Sequence, residues 1–332
     1  SPLGKGIALV TGGYAIPTAT ARARAAFSNT APTNAYRSSG RPEVTHALER
    51  LIDTAAHEFS FDPIELRRKN LIPAHAMPYT NPLGMTYDSG EYEKSMDIAL
   101  ELIDWSGFPE RAEAARARGK RLGRGFANYV ESSIGAPMER TDITVREQGV
   151  VEVVIGTQPT GQGQETSFAQ VAADFLCLPM DSVAIVIGDT DIVKSGGGSH
   201  SGRSMRQAGT VIYLGCQDLI EKAKRIAALL FDVEVAHVQF SDGVFGAVGQ
   251  KHTASWFELA GKMRALDLPE DLSDGLTVMR ENEMDLAVFP NGCAACELEV
   301  DPETGFVEIK RYAAVDDVGR VINPLIVDGQ TH

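Results

Sequence analysis

Three loops of the 332-residue chain carry residue types that could hold or turn over a ligand. The first is Gly156-Thr157-Gln158-Pro159-Thr160-Gly161-Gln162-Gly163-Gln164-Glu165-Thr166. Glycines let a backbone turn tightly and approach a ligand, and the amides of a first helical turn favour an anion. The side-chain amides of Gln158, Gln162 and Gln164 donate and accept together, which suits the edge of a heterocycle better than a bare phosphate. The second loop is Ser195-Gly196-Gly197-Gly198-Ser199-His200-Ser201-Gly202-Arg203-Ser204, where Arg203 and the nearby Arg206 supply forked donors that match phosphate or pyrophosphate. The third is Asn34-Ala35-Tyr36-Arg37-Ser38-Ser39-Gly40-Arg41-Pro42-Glu43, in which an arginine could polarise a substrate oxygen or hold a carboxylate. Each has a plainer alternative: an ordinary strand–helix turn for the glycine-rich loops, and an arginine that satisfies backbone carbonyls for the third. Two glycine-rich loops at two helix starts point to a multi-part anionic ligand more strongly than either alone.

The elements that must position these loops follow from periodicity. A short strand is expected over 7–10, and then a helix from Pro42 whose apolar stripe is Val44, Ala47, Leu48, Leu51, Ile52 and Ala55. Asp62-Pro63-Ile64-Glu65 reads as a helix start, with Asp as N-cap, Pro at N1 and Glu at N3. Residues 73–90 read as a loop, and Tyr92, Met96, Ala99, Leu100 and Ile103 as the stripe of another helix. The basic stretch over 110–124 reads as a solvated helix end leading into a linker, with a boundary near 120–125 between a helical piece and a mixed domain. Beyond it a hairpin over 142–155 turns at Glu147-Gln148-Gly149. The first glycine-rich loop, a helix over 165–176 and a strand over 182–187 make a strand–helix–strand unit. The second glycine-rich loop feeds a long helix ending near Leu230. Strands over 235–240 and 244–247 pair, residues 253–263 are helical, and a strand over 294–300 pairs with one over 306–315. The fold class is α+β, mixed sheets with packed helices and strand–loop–helix units at the candidate loops.

Composition narrows the function. Asp and Glu number 45 against 31 Lys and Arg, a net charge of −14, which argues against nucleic acid or an anionic membrane as partner. No apolar run approaches the roughly 18–20 residues of a membrane span. Four cysteines are too few for a disulfide framework, so a reducing compartment, the cytoplasm, is expected, with the periplasm left open. Cys293-Ala294-Ala295-Cys296 has no second pair to complete a zinc set and, on a strand, would point its thiols to opposite faces. No metal ligands are assigned. Walker, dinucleotide, zinc-protease and esterase motifs are missing. The chain opens at Ser1 without a signal-peptide pattern and stops after a turn-rich stretch, so an internal piece of a longer protein is expected.

Taken together, the motifs resemble one family. Ala35-Tyr36-Arg37-Ser38-Ser39-Gly40-Arg41-Pro42-Glu43 with Ala47-Leu48-Glu49-Arg50, then Asp62-Pro63-Ile64-Glu65-Leu66-Arg67-Arg68-Lys69-Asn70-Leu71 and Tyr87-Asp88-Ser89-Gly90, are similar to the molybdenum-binding large subunit of the xanthine dehydrogenase, aldehyde oxidase and carbon monoxide dehydrogenase family. So are Gly161-Gln162-Gly163-Gln164-Glu165-Thr166, Gly202-Arg203-Ser204, Glu299-Val300-Asp301-Pro302-Glu303-Thr304-Gly305 and Asp316-Asp317-Val318-Gly319-Arg320-Val321-Ile322-Asn323-Pro324, in the family's order over nearly the whole chain.

The resemblance implies a molybdenum-cofactor-binding fold. Residues 1–122 would be the C-terminal part of a first molybdopterin-binding domain with the active-site loop and a connector; 123–332 would be a second, C-terminally incomplete one. It implies molybdopterin cytosine dinucleotide carrying molybdenum, lined by Gln158, Gly161, Gln162, Gly163, Gln164, Glu165 and Thr166 and by Gly198, Ser201, Gly202, Arg203 and Ser204. The reaction implied is hydroxylation of an aldehyde or N-heterocycle with oxygen from water. Arg37 would orient the substrate and steady the developing oxyanion, in a loop shared with Ser38 and Ser39. Ser38 stands where carbon monoxide dehydrogenases place a cysteine, so no copper–molybdenum site and no CO oxidation are expected. The family's general-base glutamate would lie C-terminal of Asn323-Pro324, outside this chain. Its 2Fe-2S and FAD groups would sit on partner subunits or domains, giving a hetero-oligomer of large, iron–sulfur and flavin parts that acts on a small-molecule substrate. The alternative is a non-catalytic truncated homologue that holds the cofactor or serves assembly.

Overall fold

The computed structural model describes residues 2–332. Its elements run α1 (Pro2–Ile7), α2 (Arg41–Glu58), α3 (Pro63–Asn70), β1 (Tyr79–Thr80), β2 (Thr86–Tyr87), α4 (Tyr92–Leu102), α5 (Phe108–Ala117) and β3 (Arg121–Val130). They continue with β4 (Met138–Arg146), β5 (Val150–Ile155), α6 (Gln164–Leu176), β6 (Val183–Val186), α7 (Arg203–Phe231), β7 (Val238–Ser241), β8 (Val244–Ala247), β9 (Thr253–Ser255) and α8 (Trp256–Lys262). The last are β10 (Thr277–Glu283), β11 (Asn291–Val300), β12 (Val307–Asp317) and α9 (Pro324–Thr331). The chain divides into one unit of residues up to Ser133 with Ala287–Arg320, and a second of Ile134–Leu286 with Val321–His332. No helix among the described residues is long and apolar enough to cross a membrane.

The second unit is built on a four-stranded sheet in the order β10-β4-β5-β6. β4 and β5 form the expected hairpin, from Thr141 opposite Ile155 to Arg146 opposite Val150. β5 and β6 are parallel, so α6 is the crossover between them. Along β4 burial alternates, and Glu139, Thr141, Ile143 and Val145 face inward. That face packs with α6 and α7 into a core that includes Ile143, Val153, Phe168, Leu176, Ile212 and Leu219. Trp256 closes the core beside Phe240 and Phe245 and donates its indole N–H to the Leu176 carbonyl at 2.9 Å.

The first unit carries the sheet β12-β11-β3, fully antiparallel, with α4 against it. Its core holds Tyr14, Ile72, Tyr87, Met96, Ile103 and Cys293 around a buried polar centre. Arg67, fully buried, donates from Nε to Glu49 at 2.7 Å and pairs with Asp53 at 2.8 Å. Tyr14 donates to the same Glu49 at 2.7 Å and accepts from Asn128 at 3.1 Å. Burial pushes both the Tyr14 phenol and the Glu49 carboxyl upward, and the phenol remains a donor throughout the working pH range.

Several sequence expectations are corrected here. The strand over 7–10 is the end of α1 followed by turns; a Cβ on Gly6 would lie 2.2 Å from the Gly40 carbonyl oxygen, and that close approach decides the local backbone over β-propensity. The stripe of α2 is rotated. Leu51 is 65% exposed, while Glu49 and Ala56 are buried, because the Glu49–Arg67 pair draws that side of the helix inward. The linker expected after the basic stretch is instead β3, whose Arg121 is already paired with Val300. Two short strands interrupt the loop over 73–90, and Thr253–Ser255 is a strand that leads into α8 through a Ser255 capping box. The Asp62 cap of α3 stands as expected, accepting from Ile64 and Glu65.

Replacing Tyr14 with Phe leaves an Asn128 N–H and a Glu49 oxygen short of a partner in the core. Urea denaturation should show a loss of about 1–3 kcal/mol, the cost of a stranded buried polar group; an unchanged midpoint would contradict the network.

Candidate functional site

Both glycine-rich loops lie in the second unit and end in the same way. α6 starts after Gly163 at φ 73° and α7 after Gly202 at φ 69°, and neither helix has a side-chain cap. A left-handed glycine at that position turns the chain into the helix and brings no side-chain oxygen to the first turn; the Arg203 amide donates to the His200 carbonyl at 3.0 Å. The first turn of α7 contains no acidic residue.

The loops meet through their side chains. The Gln162 amide donates to Ser199 Oγ at 3.4 Å, Ser199 Oγ donates to Gln164 Oε1 at 3.3 Å, and Ser199 and Ser204 share a hydrogen bond of 2.9 Å. Gln162, Gln164, Ser199 and Ser204 thus form one cluster of neutral donors and acceptors. Glu165 and Thr166 are exposed on the first turn of α6, and Gly161 and Gly198 border open space. Ser201 is half-buried and faces His200, whose other ring nitrogen lies 3.1 Å from the Gly197 carbonyl. Gln158 is set apart: exposed, with its amide beside Gly188. The Asn323-Pro324 motif caps α9 and docks it on α6, since Gln170 donates to the Ile322 carbonyl at 2.7 Å and Asn323 donates to Gln170 at 3.2 Å.

Arg203 departs from the expected forked donor facing a phosphate. It is 1% exposed and its guanidinium points inward. Nη1 lies 2.7 Å from Glu139, 3.1 Å from Thr157 Oγ1 and 2.6 Å from the Gly198 carbonyl; Nε and Nη2 each donate at 2.9 Å to the carbonyls of Ala136 and Met138. Glu139 also accepts from Thr157 at 2.6 Å and from the Gly197 amide at 3.3 Å. Arg206 is half-buried and is also engaged. Sequence reasoning missed Glu139, and it gave Thr157 no role beyond its place in the first loop. The available signal was the phase of position 139, in step with the apolar Ile143 and Val145 on a half-buried strand.

The third loop belongs to the first unit. Arg37 is exposed and makes no hydrogen bond or ion pair within the described residues, while Tyr36 beside it is also exposed. Ser38, Ser39 and Gly40 follow at φ 70°, 41° and 95°. Two successive serines in the left-handed region are strained and persist only if held. Arg41 holds them, donating to the Ser38 carbonyl at 2.8 Å and the Ser132 carbonyl at 2.7 Å while pairing with Glu131 at 2.6 Å. Of the two arginines, Arg41 satisfies carbonyls and Arg37 is the one presented to solvent. The Ser39 hydroxyl is buried without a partner.

Comparison with known proteins fits this arrangement. The profile of the molybdopterin cofactor-binding domain matches residues 98–332, and a second of the same description matches residues 2–71. The chain belongs to the molybdopterin cofactor-binding domain family. It is 32% identical over 331 residues to the 6-hydroxypseudooxynicotine dehydrogenase complex subunit gamma of Paenarthrobacter nicotinovorans, covering 97% of this chain and 41% of that one. It is 29% identical over 343 residues to the carbon monoxide dehydrogenase large chain of Afipia carboxidovorans, covering 98% and 42%. Among solved structures, quinoline 2-oxidoreductase from Pseudomonas putida 86 superposes with a TM-score of 0.85 at 29% identity, over 99% of this chain and 44% of that one. The chain therefore spans about two-fifths of the length of these relatives, and it has their mixed helix-and-sheet fold.

The donor set fits a molybdopterin. Two uncapped helix starts offer amides to phosphates, and the Gln162–Gln164–Ser199–Ser204 cluster offers both donors and acceptors to a ring edge. The CxxC pair does not join it. Cys293 is buried against the Ser95 carbonyl, and Cys296, on the other face of β11, is half-buried. Burial pushes the Cys216 and Cys293 thiols up to about 12. With a thiol reagent near pH 8.5, about the ordinary thiol value, exposed Cys177 should react first, with Cys216 and Cys293 silent until the chain is denatured. Fast reaction of Cys293, or recovery of a 293–296 disulfide, would contradict this placement.

Proposed function

We propose that this chain is the portion of a molybdenum hydroxylase large subunit that grips a molybdopterin dinucleotide, in the cytosine form, and presents Arg37 to an aldehyde or N-heterocyclic substrate. The observation that carries the reading is the junction of two uncapped helix starts through Gln162, Gln164, Ser199 and Ser204. In this reading the first-turn amides of α6 and α7 take the phosphates. Gln162 and Gln164 hold the heterocycle by complementary hydrogen bonds. Glu165, an acceptor only, belongs with ring N–H donors rather than with phosphates. Ser201 and Gly202, at the start of α7, and Gly161, Gly163 and Gly198 supply backbone surface close to the ligand, while Gln158 lies at the rim.

When bound, the molybdenum supplies the two-electron oxidation that no side chain of this chain can perform. Arg37 contributes a guanidinium that orients a substrate oxygen and stabilises negative charge developing on it. Arg41, Ser38 and Ser39 set the backbone from which Arg37 projects. Ser38 offers a hydroxyl, a poor ligand for a soft copper ion, so we assign no copper and no CO oxidation. The general base and the iron–sulfur and flavin carriers are assigned to other parts of the subunit or to partner subunits.

The full-length protein, produced in a host that makes the cofactor, should carry molybdenum near one atom per chain and release a pterin nucleotide on denaturation. A metal- and pterin-free product would overturn the reading. Arg37→Ala should lower turnover by about 10²-fold, the usual size of a lost transition-state donor, with molybdenum content unchanged. Loss of both together would make Arg37 a folding residue instead.

A further inference from the structure

We propose that the buried Glu139–Arg203 pair, with Thr157, is the positioning device that sets the two glycine-rich loops for the cofactor, and that Arg203 acts on the ligand only through those loops. The inference rests on the cofactor reading above. Three observations carry it.

The first is the direction of the donors. A guanidinium has five N–H groups. In Arg203 every nitrogen is engaged inward: Nε with Ala136, Nη1 with Glu139, Thr157 and Gly198, and Nη2 with Met138, all 2.6–3.1 Å away. With the side chain 1% exposed, the guanidinium is not presented to a phosphate, and its charge is cancelled by a carboxylate that is itself fully buried.

The second is the span of the contacts. Thr157 lies at the start of the first loop, Gly197 and Gly198 belong to the second, Ala136 precedes β4 and Met138 is its first residue. Glu139 grips the first two segments as well, through the Thr157 hydroxyl and the Gly197 amide. One ion pair therefore fixes both loops to the start of β4, an interior strand of the sheet.

The third is the pattern of glycines. A Cβ on Gly197 would sit 2.4 Å from Arg203 Cζ; one on Gly196 would sit 2.3 Å from Gly156 Cα and 2.8 Å from Glu139 Oε1. Gly197 is required by the arginine beneath it, and Gly196 by the crossing of the Gly156 backbone over Glu139. Gly161 and Gly198 meet nothing within 4 Å and remain for the ligand side. A buried ion pair is a weak source of net stability compared with apolar packing of the same volume; its distinctive product is a single fixed geometry, here that of the loops.

Glu139→Gln separates this proposal from direct phosphate binding because the two predict opposite signs. It cannot touch the ligand, and it releases the positive charge of Arg203. If Arg203 gripped a phosphate, Glu139→Gln would leave cofactor retention equal or stronger. If the pair positions the loops, retention falls. The full-length protein is compared as wild type, Glu139→Gln, Thr157→Val and Arg203→Lys, following pterin release by fluorescence and molybdenum per chain after dialysis. Amide hydrogen exchange on cofactor-stripped protein is the independent readout.

Glu139→Gln should release pterin about tenfold faster, the size of one lost charge-assisted hydrogen bond. It should also speed exchange at 196–199 by a similar factor while 211–219, in the middle of α7, stay protected. Arg203→Lys keeps the charge but loses the fork, and should not rescue. Thr157→Val should move both readouts the same way by less, and it decides the matter if Glu139→Gln does not fold. Pterin release at or below the wild-type rate, or loop exchange unchanged, overturns the proposal. A wild-type protein without molybdenum or pterin overturns the cofactor reading itself; the exchange at 196–199 then still decides whether the pair holds the loops.

Discussion

A buried arginine facing a buried glutamate is the constraint on which the second unit's loops depend. Arg203 opens the longest helix of the chain and Glu139 lies on the inward face of β4, so the ion pair joins the start of that helix to the sheet. Neither side chain has access to water, and each must therefore be fully partnered within the protein. Satisfying them requires the carbonyl of Gly198, the amide of Gly197 and the hydroxyl of Thr157 to converge on one point. Convergence in turn requires glycine where backbones cross. The loops are shaped from below, by the demands of a desolvated charge, and what they offer above is backbone amides and neutral side chains.

That division reconciles a net charge of −14 with the polyanionic ligand proposed for these loops. A surface of cations would bind phosphates at long range and without discrimination. Helix-start amides act only at contact, and the amides and hydroxyls of Gln162, Gln164, Ser199 and Ser204 ask for a ligand with both donors and acceptors in register. The first unit uses the same economy of charge. Arg41 is consumed in holding two strained serines, and Arg67 in joining α2 to α3 through Glu49, while Arg37 stays available to solvent.

Much of this fold was legible in the sequence, and the reasons are physical. The hairpin β4–β5, the crossover through α6 and the pairing of β11 with β12 follow from alternation and turn chemistry that tertiary contacts reinforce. The Asp62 cap could be read because its hydrogen bonds are local. The segment 7–10 could not, because its backbone is decided by a contact between Gly6 and Gly40, far apart in sequence. Buried charge was the larger blind spot. A glutamate or arginine carries no mark of burial in its residue type, so the inward places of Glu49, Arg67 and Glu139 are not legible from it, and the α2 stripe is only partly right: Leu48 and Ile52 pack on the core while Leu51 is exposed. Arg203 reads in the sequence as a forked donor for a phosphate, whereas in the fold its guanidinium is engaged inward.

The most direct measurement is an experimental structure of the full-length protein with its cofactor bound. The account predicts phosphate oxygens within hydrogen-bonding distance of the first-turn amides of α6 and α7, with the guanidinium of Arg203 still closed on Glu139 and Thr157 beneath them. Phosphates bound elsewhere, or an Arg203 side chain swung outward onto the ligand with Glu139 abandoned, would contradict it.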